Sequence, residues 1–187
     1  MTRSLAGAIQ ASLASLYALD ELPPVDDFVR IAAPGAREEV VVREGEDDVE
    51  VAVVLPEEAL RPSGGEVELD VLCQIVEGVS HFVVLAERIR TELPTTELEL
   101  ELQAEIDKFM LLSAASPAPL ELHARLYERV SYVHAEDSER GHRYRTANRL
   151  AARACARLCP CRARRAPWLR RFFRAGQEEK IRMALAA

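Results

Sequence analysis

The residues of this chain that could carry chemistry are its four histidines, its four cysteines and a run of arginines near the C-terminus. His81, His123, His134 and His142 all fall in segments with helical patterning. Histidines and carboxylates projecting between helices are how bundle proteins build metal centres. Glu77, His81, Glu105, His123 and His134 are therefore the candidate ligands of a divalent metal, the alternative to a chain with no cofactor. A di-metal bundle centre takes Glu-x-x-His from two helices, however, and Glu139/His142 is the one such motif here. Arg129 and His134 are spaced as an RNA-cleaving pair could be, but on an unbroken helix they point about 140° apart. Satisfied structural histidines are the expectation.

Cys73 lies alone, and Cys155, Cys159 and Cys161 cluster at a helix end. That cluster lacks the second cysteine pair of a zinc finger. Cys155 falls on the apolar side of its helix, where a buried thiol behaves as a small hydrophobe. With no secretory leader in "MTRSLAGAIQASLASLYALD", four cysteines are not read as a disulfide framework, and a cytoplasmic location is expected. Walker loops, G-x-G-x-x-G, G-x-S-x-G and H-E-x-x-H are all absent from the sequence.

"HRYRTANRLAARACARL", residues 142–158, carries five arginines and a histidine. At about 100° per residue, His142, Arg145, Arg149, Arg153 and Arg157 share one arc, and Tyr144, Ala147, Leu150, Ala151, Ala154 and Leu158 share the other. This ridge could hold an anionic partner or phosphate groups; a solvated helix face would look the same. Arg143 breaks the pattern by falling among the apolar positions, and Glu105 does so between Leu98, Leu102 and Phe109. An unpaired buried charge is costly, so Glu105 is expected to pair with Arg143 or with another C-terminal arginine. In "PWLRRFFRAG", Trp168, Leu169, Phe172 and Phe173 face opposite Arg170, Arg171 and Arg174, a packing face for a chain with only 5% aromatics.

The elements that must position these groups follow from periodicity. Leu5, Ile9, Leu13 and Leu16 mark a first helix. Valine-rich runs at 39–43 and 49–55 flank an acidic turn and read as a hairpin, with "DFVRIAA" a short strand beside it. Such a small sheet must be covered, and the first helix is the nearest cover. "RPSGG" at 61–65 is the clearest linker. Beyond it run a stripe from Leu72 to Ala86, a helix opened by the capping box Thr96-x-x-Glu99, a third helix from "SPAP" to about His134, a fourth over roughly 137–159, and a fifth near Pro167.

The expected fold is α+β, mostly α: a small N-terminal helix plus a two- or three-stranded antiparallel sheet leading into a bundle of four to six helices. It is read as a single domain over 1–187, with a helix–sheet unit at 1–60 and a helical bundle with a basic C-terminal part at 66–187.

Charge is divided sharply. Residues 1–139 hold 10 Lys+Arg against 29 Asp+Glu, giving −19, and residues 140–187 hold 14 against 2, giving +12. No apolar run approaches the roughly 18 residues of a membrane span. Together these features point to a non-catalytic interaction or regulatory protein that binds another macromolecule, a protein partner or a second copy of itself, through its helical half. Metal chemistry at the histidines and nucleic-acid binding at the arginine ridge are the alternatives; membrane-surface contact is not favoured.

Overall fold

The computed structural model describes residues 3–45, 49–158 and 162–186 and is α+β, mostly helical. It divides into two compact units, Met1–Glu92 and Leu93–Ala187. The division falls after the second long helix and not at "RPSGG". That segment folds back on the chain's start: Leu5 N–H donates to Arg61 O at 2.8 Å, and Ser63 N–H donates to Arg3 O at 3.1 Å.

The first unit begins with α1 (Leu5–Tyr17), capped by Ser4, whose Oγ accepts the Gly7 N–H at 2.9 Å. Its Ala6, Ile9, Leu13 and Tyr17 are buried, as the i, i+3, i+4 spacing requires. The sheet comprises β1 (Val29–Ile31), β2 (Glu39–Glu44) and β3 (Val49–Leu55) in the order β1-β3-β2. β2 and β3 form the expected antiparallel hairpin, with Val40 opposite Val53 and Val42 opposite Val51. β1 instead pairs parallel to β3, Val29 with Val53, so the sheet is mixed and not antiparallel throughout. Its short length and position before the hairpin leave strand direction to the loop that follows it.

The cover of this sheet also differs from expectation. α2 (Leu69–Arg90), not α1, lies on β2 and β3, and α1 packs on α2. Gly78 allows the close approach: a Cβ there would stand 2.5 Å from Leu55 Cδ2 and 3.3 Å from Val53 Cγ1. With 22 residues and a mean hydropathy of 1.6 over its most apolar window, α2 is the one helix among the described residues long and apolar enough to cross a membrane; 61% of that window is buried in the fold.

The second unit is helical. α3 (Glu97–Ala115) starts with the expected capping box: Glu99 N–H donates to Thr96 Oγ1 at 3.2 Å and Thr96 N–H to Glu99 Oε2 at 2.9 Å. α5 (Glu139–Leu158) packs along α3 through Ala147, Ala151, Ala154 and Cys155, small residues that let two helix backbones come close. Between them the third helix is shorter than its sequence suggests. α4 (Pro119–His123) widens into a π turn, Ala124–Glu128, and the chain then leaves helical geometry until Glu139. The wide turn lets Tyr127 reach inward, where its hydroxyl donates to Glu105 O at 2.8 Å. α6 (Arg162–Arg174) starts before Pro167 and buries Leu169, Phe172 and Phe173, with Trp168 stacked on Phe172 at 4.7 Å. α7 (Gln177–Ala186) completes the unit.

Candidate functional site

Of the residues predicted to ligate a metal, two belong to the first unit and three to the second. Glu77 and His81 sit one turn apart on α2 in the first unit, both buried. In the second unit, Glu105, His123 and His134 are each engaged elsewhere. The Glu105 carboxylate accepts from Lys108 Nζ at 2.7 Å and from Asn148 Nδ2 at 3.4 Å. His123 Nε2 donates to Ala152 O at 2.9 Å, its ring edge-on to Tyr127 with centroids 4.8 Å apart. His134 lies beyond the π turn, in the segment before α5 and not in a helix, its ring 5.3 Å from that of Tyr144.

The ion pair expected between Glu105 and Arg143 does not form. Arg143 pairs with Glu97 at 2.5 Å and lies 4.0 Å from Glu101. Opposite Glu105 stands Asn148 instead. The two matches, 97/101 with 143 and 105 with 148, advance in the same sense, so α3 and α5 run parallel and Arg143 falls about one and a half turns short of Glu105. Wheel positions gave each residue its face; the register along the axis was set by the ten-residue segment 129–138.

Around Glu105 the second unit holds a closed polar cluster. Asn148 Nδ2 also donates to Leu126 O at 3.1 Å, and Asn148 Oδ1 accepts from Tyr132 at 2.9 Å. The Tyr127 hydroxyl is 3.4 Å from Cys155 Sγ. Burial pushes the Cys155 thiol up to about 12, against an ordinary 9.0, so it is protonated and a poor nucleophile at neutral pH. Burial likewise raises Tyr132, with Glu105 adding to the effect. This chemistry is suited to holding three segments together. Cys159 and Cys161, the rest of the expected cysteine cluster, lie outside the described residues.

The arginine ridge divides into two kinds of residue. Arg145 is half-buried: it donates to Gly141 O at 3.0 Å and His134 O at 3.2 Å, with its guanidinium 4.5 Å from the centre of the Tyr132 ring. Arg157 donates to Leu185 O at 3.1 Å, tying α5 to the end of α7. His142, Arg149 and Arg153 are exposed on α5, and Arg170, Arg174 and Arg182 are exposed on α6 and α7. Most acids of α3 are arranged oppositely: Glu99, Glu101, Glu105 and Asp107 are buried, while Glu97 is exposed and pairs with Arg143. The second unit holds 17 Lys+Arg and 12 Asp+Glu, a balance of +5. With part of its acid turned inward, its surface is more cationic than its composition. Composition revealed the excess of arginine; the inward turn of four α3 carboxylates, signalled in the sequence at Glu105, adds to it.

No protein-family model, curated protein or solved structure matches this chain.

Proposed function

We propose that this chain is a non-catalytic interaction protein whose second unit binds an acidic segment of a partner protein through the exposed cations of α5, Arg149 and Arg153 above all. The observation that carries this reading is the sorting of charge in the second unit, with Glu99, Glu101, Glu105 and Asp107 of α3 buried and Arg149 and Arg153 of α5 exposed. Arginine presents a planar fork of donors that matches a carboxylate bidentately. The patch is short, because Arg145 and Arg157 are spent on backbone carbonyls of the same unit. A short patch suits a few carboxylates better than a nucleic-acid backbone, which takes many phosphate contacts.

Fluorescence anisotropy with a labelled oligoglutamate peptide tests the proposal, with a single-stranded oligonucleotide as the comparison. The peptide should bind the full chain, weaken several-fold as salt rises, and weaken again by about tenfold in Arg149→Gln/Arg153→Gln. Peptide binding that the double variant leaves unchanged, or tighter binding of the oligonucleotide with a steep salt slope, would overturn it.

A further inference from the structure

The first unit contains a cavity of about 260 Å³. Its origin is geometric. α2 and β3 run antiparallel, so that Gly78 meets Leu55 and Val53, while Val51 shares the cavity wall with Phe82 and Ala86 one and two turns further along α2. Ala86 has one of the smallest side chains on that wall and leaves room beside Val51 and Phe82.

The wall opposite is the loop after α1. Gln10 fastens it from within the helix: its Nε2 donates to Pro23 O at 2.7 Å, and its Oε1 accepts the Val25 N–H at 3.0 Å. In the same loop Glu21 is held at φ 61°, the left-handed region, which costs a non-glycine residue about 1 kcal/mol. The surrounding contacts thus impose a conformation that brings this glutamate to the cavity.

The interior is apolar and aromatic. Phe28 and Phe82 stand with ring centroids 4.9 Å apart and planes at 45°. Two charged residues line it, Glu21 and Arg90. The Arg90 Nε and Nη2 donate to Glu87 at 2.9 and 2.8 Å, so its charge is met by Glu87 and the Glu21 carboxylate is left as the net charge of the lining. The unit as a whole carries 7 Lys+Arg and 19 Asp+Glu, a balance of −12. Its field concentrates cations.

We propose that this cavity binds a small organic cation, an amine whose apolar body fills the space between Phe28, Phe82 and Ala86 and whose ammonium meets the Glu21 carboxylate. Apolar walls with a few placed polar groups are the usual make-up of a small-molecule site, and aromatic faces attract an ammonium as well as its hydrocarbon. An anionic ligand would meet Arg90 already paired with Glu87 and the Glu21 carboxylate beside it.

Methyl-resolved NMR of the full chain, reading Ile89 and Val51, tests this with three probes of similar size: benzylammonium, phenylacetate and benzyl alcohol. Benzylammonium should give saturable shifts at millimolar concentration, with phenylacetate at least about tenfold weaker. Glu21→Gln, an exposed substitution that leaves the fold intact, should narrow that gap by weakening benzylammonium alone. Ala86→Leu, which fills the cavity, should remove binding of all three. Absence of saturable shifts with benzylammonium, equal or tighter binding of phenylacetate, or a gap unchanged in Glu21→Gln would each overturn the proposal.

Discussion

Replacing Gly141 by alanine should destabilise the second unit, against the trend for glycine within helices. Gly141 is the third residue of α5 and is buried. Propensity alone favours alanine there by about 1 kcal/mol. A Cβ at this position would stand 1.8 Å from the Ala135 carbonyl oxygen and 2.8 Å from Arg145 Nη1. Real Cβ contacts essentially never fall under 3.0 Å, so that carbonyl must retreat by 3.0 − 1.8 = 1.2 Å. It is not free to do so. It accepts Ser138 N–H at 3.3 Å, Ser138 Oγ–H at 2.8 Å and Arg145 Nη1 at 3.5 Å. Ser138 in turn caps α5, its Oγ accepting the Gly141 N–H at 3.0 Å. Disturbing two such bonds costs about 1 kcal/mol each, and overpacking adds about 1–3 kcal/mol. Less the propensity gain, Gly141→Ala should lose about 2–4 kcal/mol. Urea unfolding followed by fluorescence of Trp168, the single tryptophan, reads this unit directly. The midpoint should fall with the slope unchanged. A midpoint equal to or above wild type would refute the reasoning, because propensity would then have outweighed the steric overlap.

Two further outcomes follow from the polar cluster. The Cys155 thiol titrates near 9.0 when unfolded and at about 12 in the fold; between those values the folded state binds the extra proton, so stability is fully present below pH 9 and falls as pH rises towards 12. Compared by chemical denaturation at pH 8 and about pH 10.5, the wild type should lose more stability than Cys155→Ala, and parallel curves would contradict this. Asn148→Ala should cost about 2–3 kcal/mol, since it strips partners from the Leu126 carbonyl, the Tyr132 hydroxyl and the Glu105 carboxylate at once; a loss within about 0.5 kcal/mol in the same urea assay would show that water replaces those bonds, as at an ordinary surface site.

Local rules made several features legible from the chain itself. The Thr96–Glu99 box, the buried stripe of α2, the inward side of Cys155 and the packing face of Trp168, Leu169, Phe172 and Phe173 depend on residues three and four apart, whose relation a helix fixes. The β2–β3 hairpin depends on alternation about one turn. The charge division between the two ends of the chain was equally plain, and with it the exposed arginines of α5. What tertiary structure alone decided were the matches between distant segments. The partner of Arg143 became Glu97 because α3 and α5 run parallel with a register that no periodicity encodes. β1 joined the sheet parallel to β3, α2 rather than α1 covered it, and the π turn sent Tyr127 inward while leaving His134 in a loop. Gln10, whose role no local pattern announces, fastens the loop that walls the cavity. Gly78 and Gly141 matter through a leucine side chain and a backbone carbonyl that their neighbours in sequence do not announce. A helix or hairpin is specified by short-range geometry, whereas register, strand direction and close approach are set by how whole surfaces fit, a property of pairs of segments that neither carries alone.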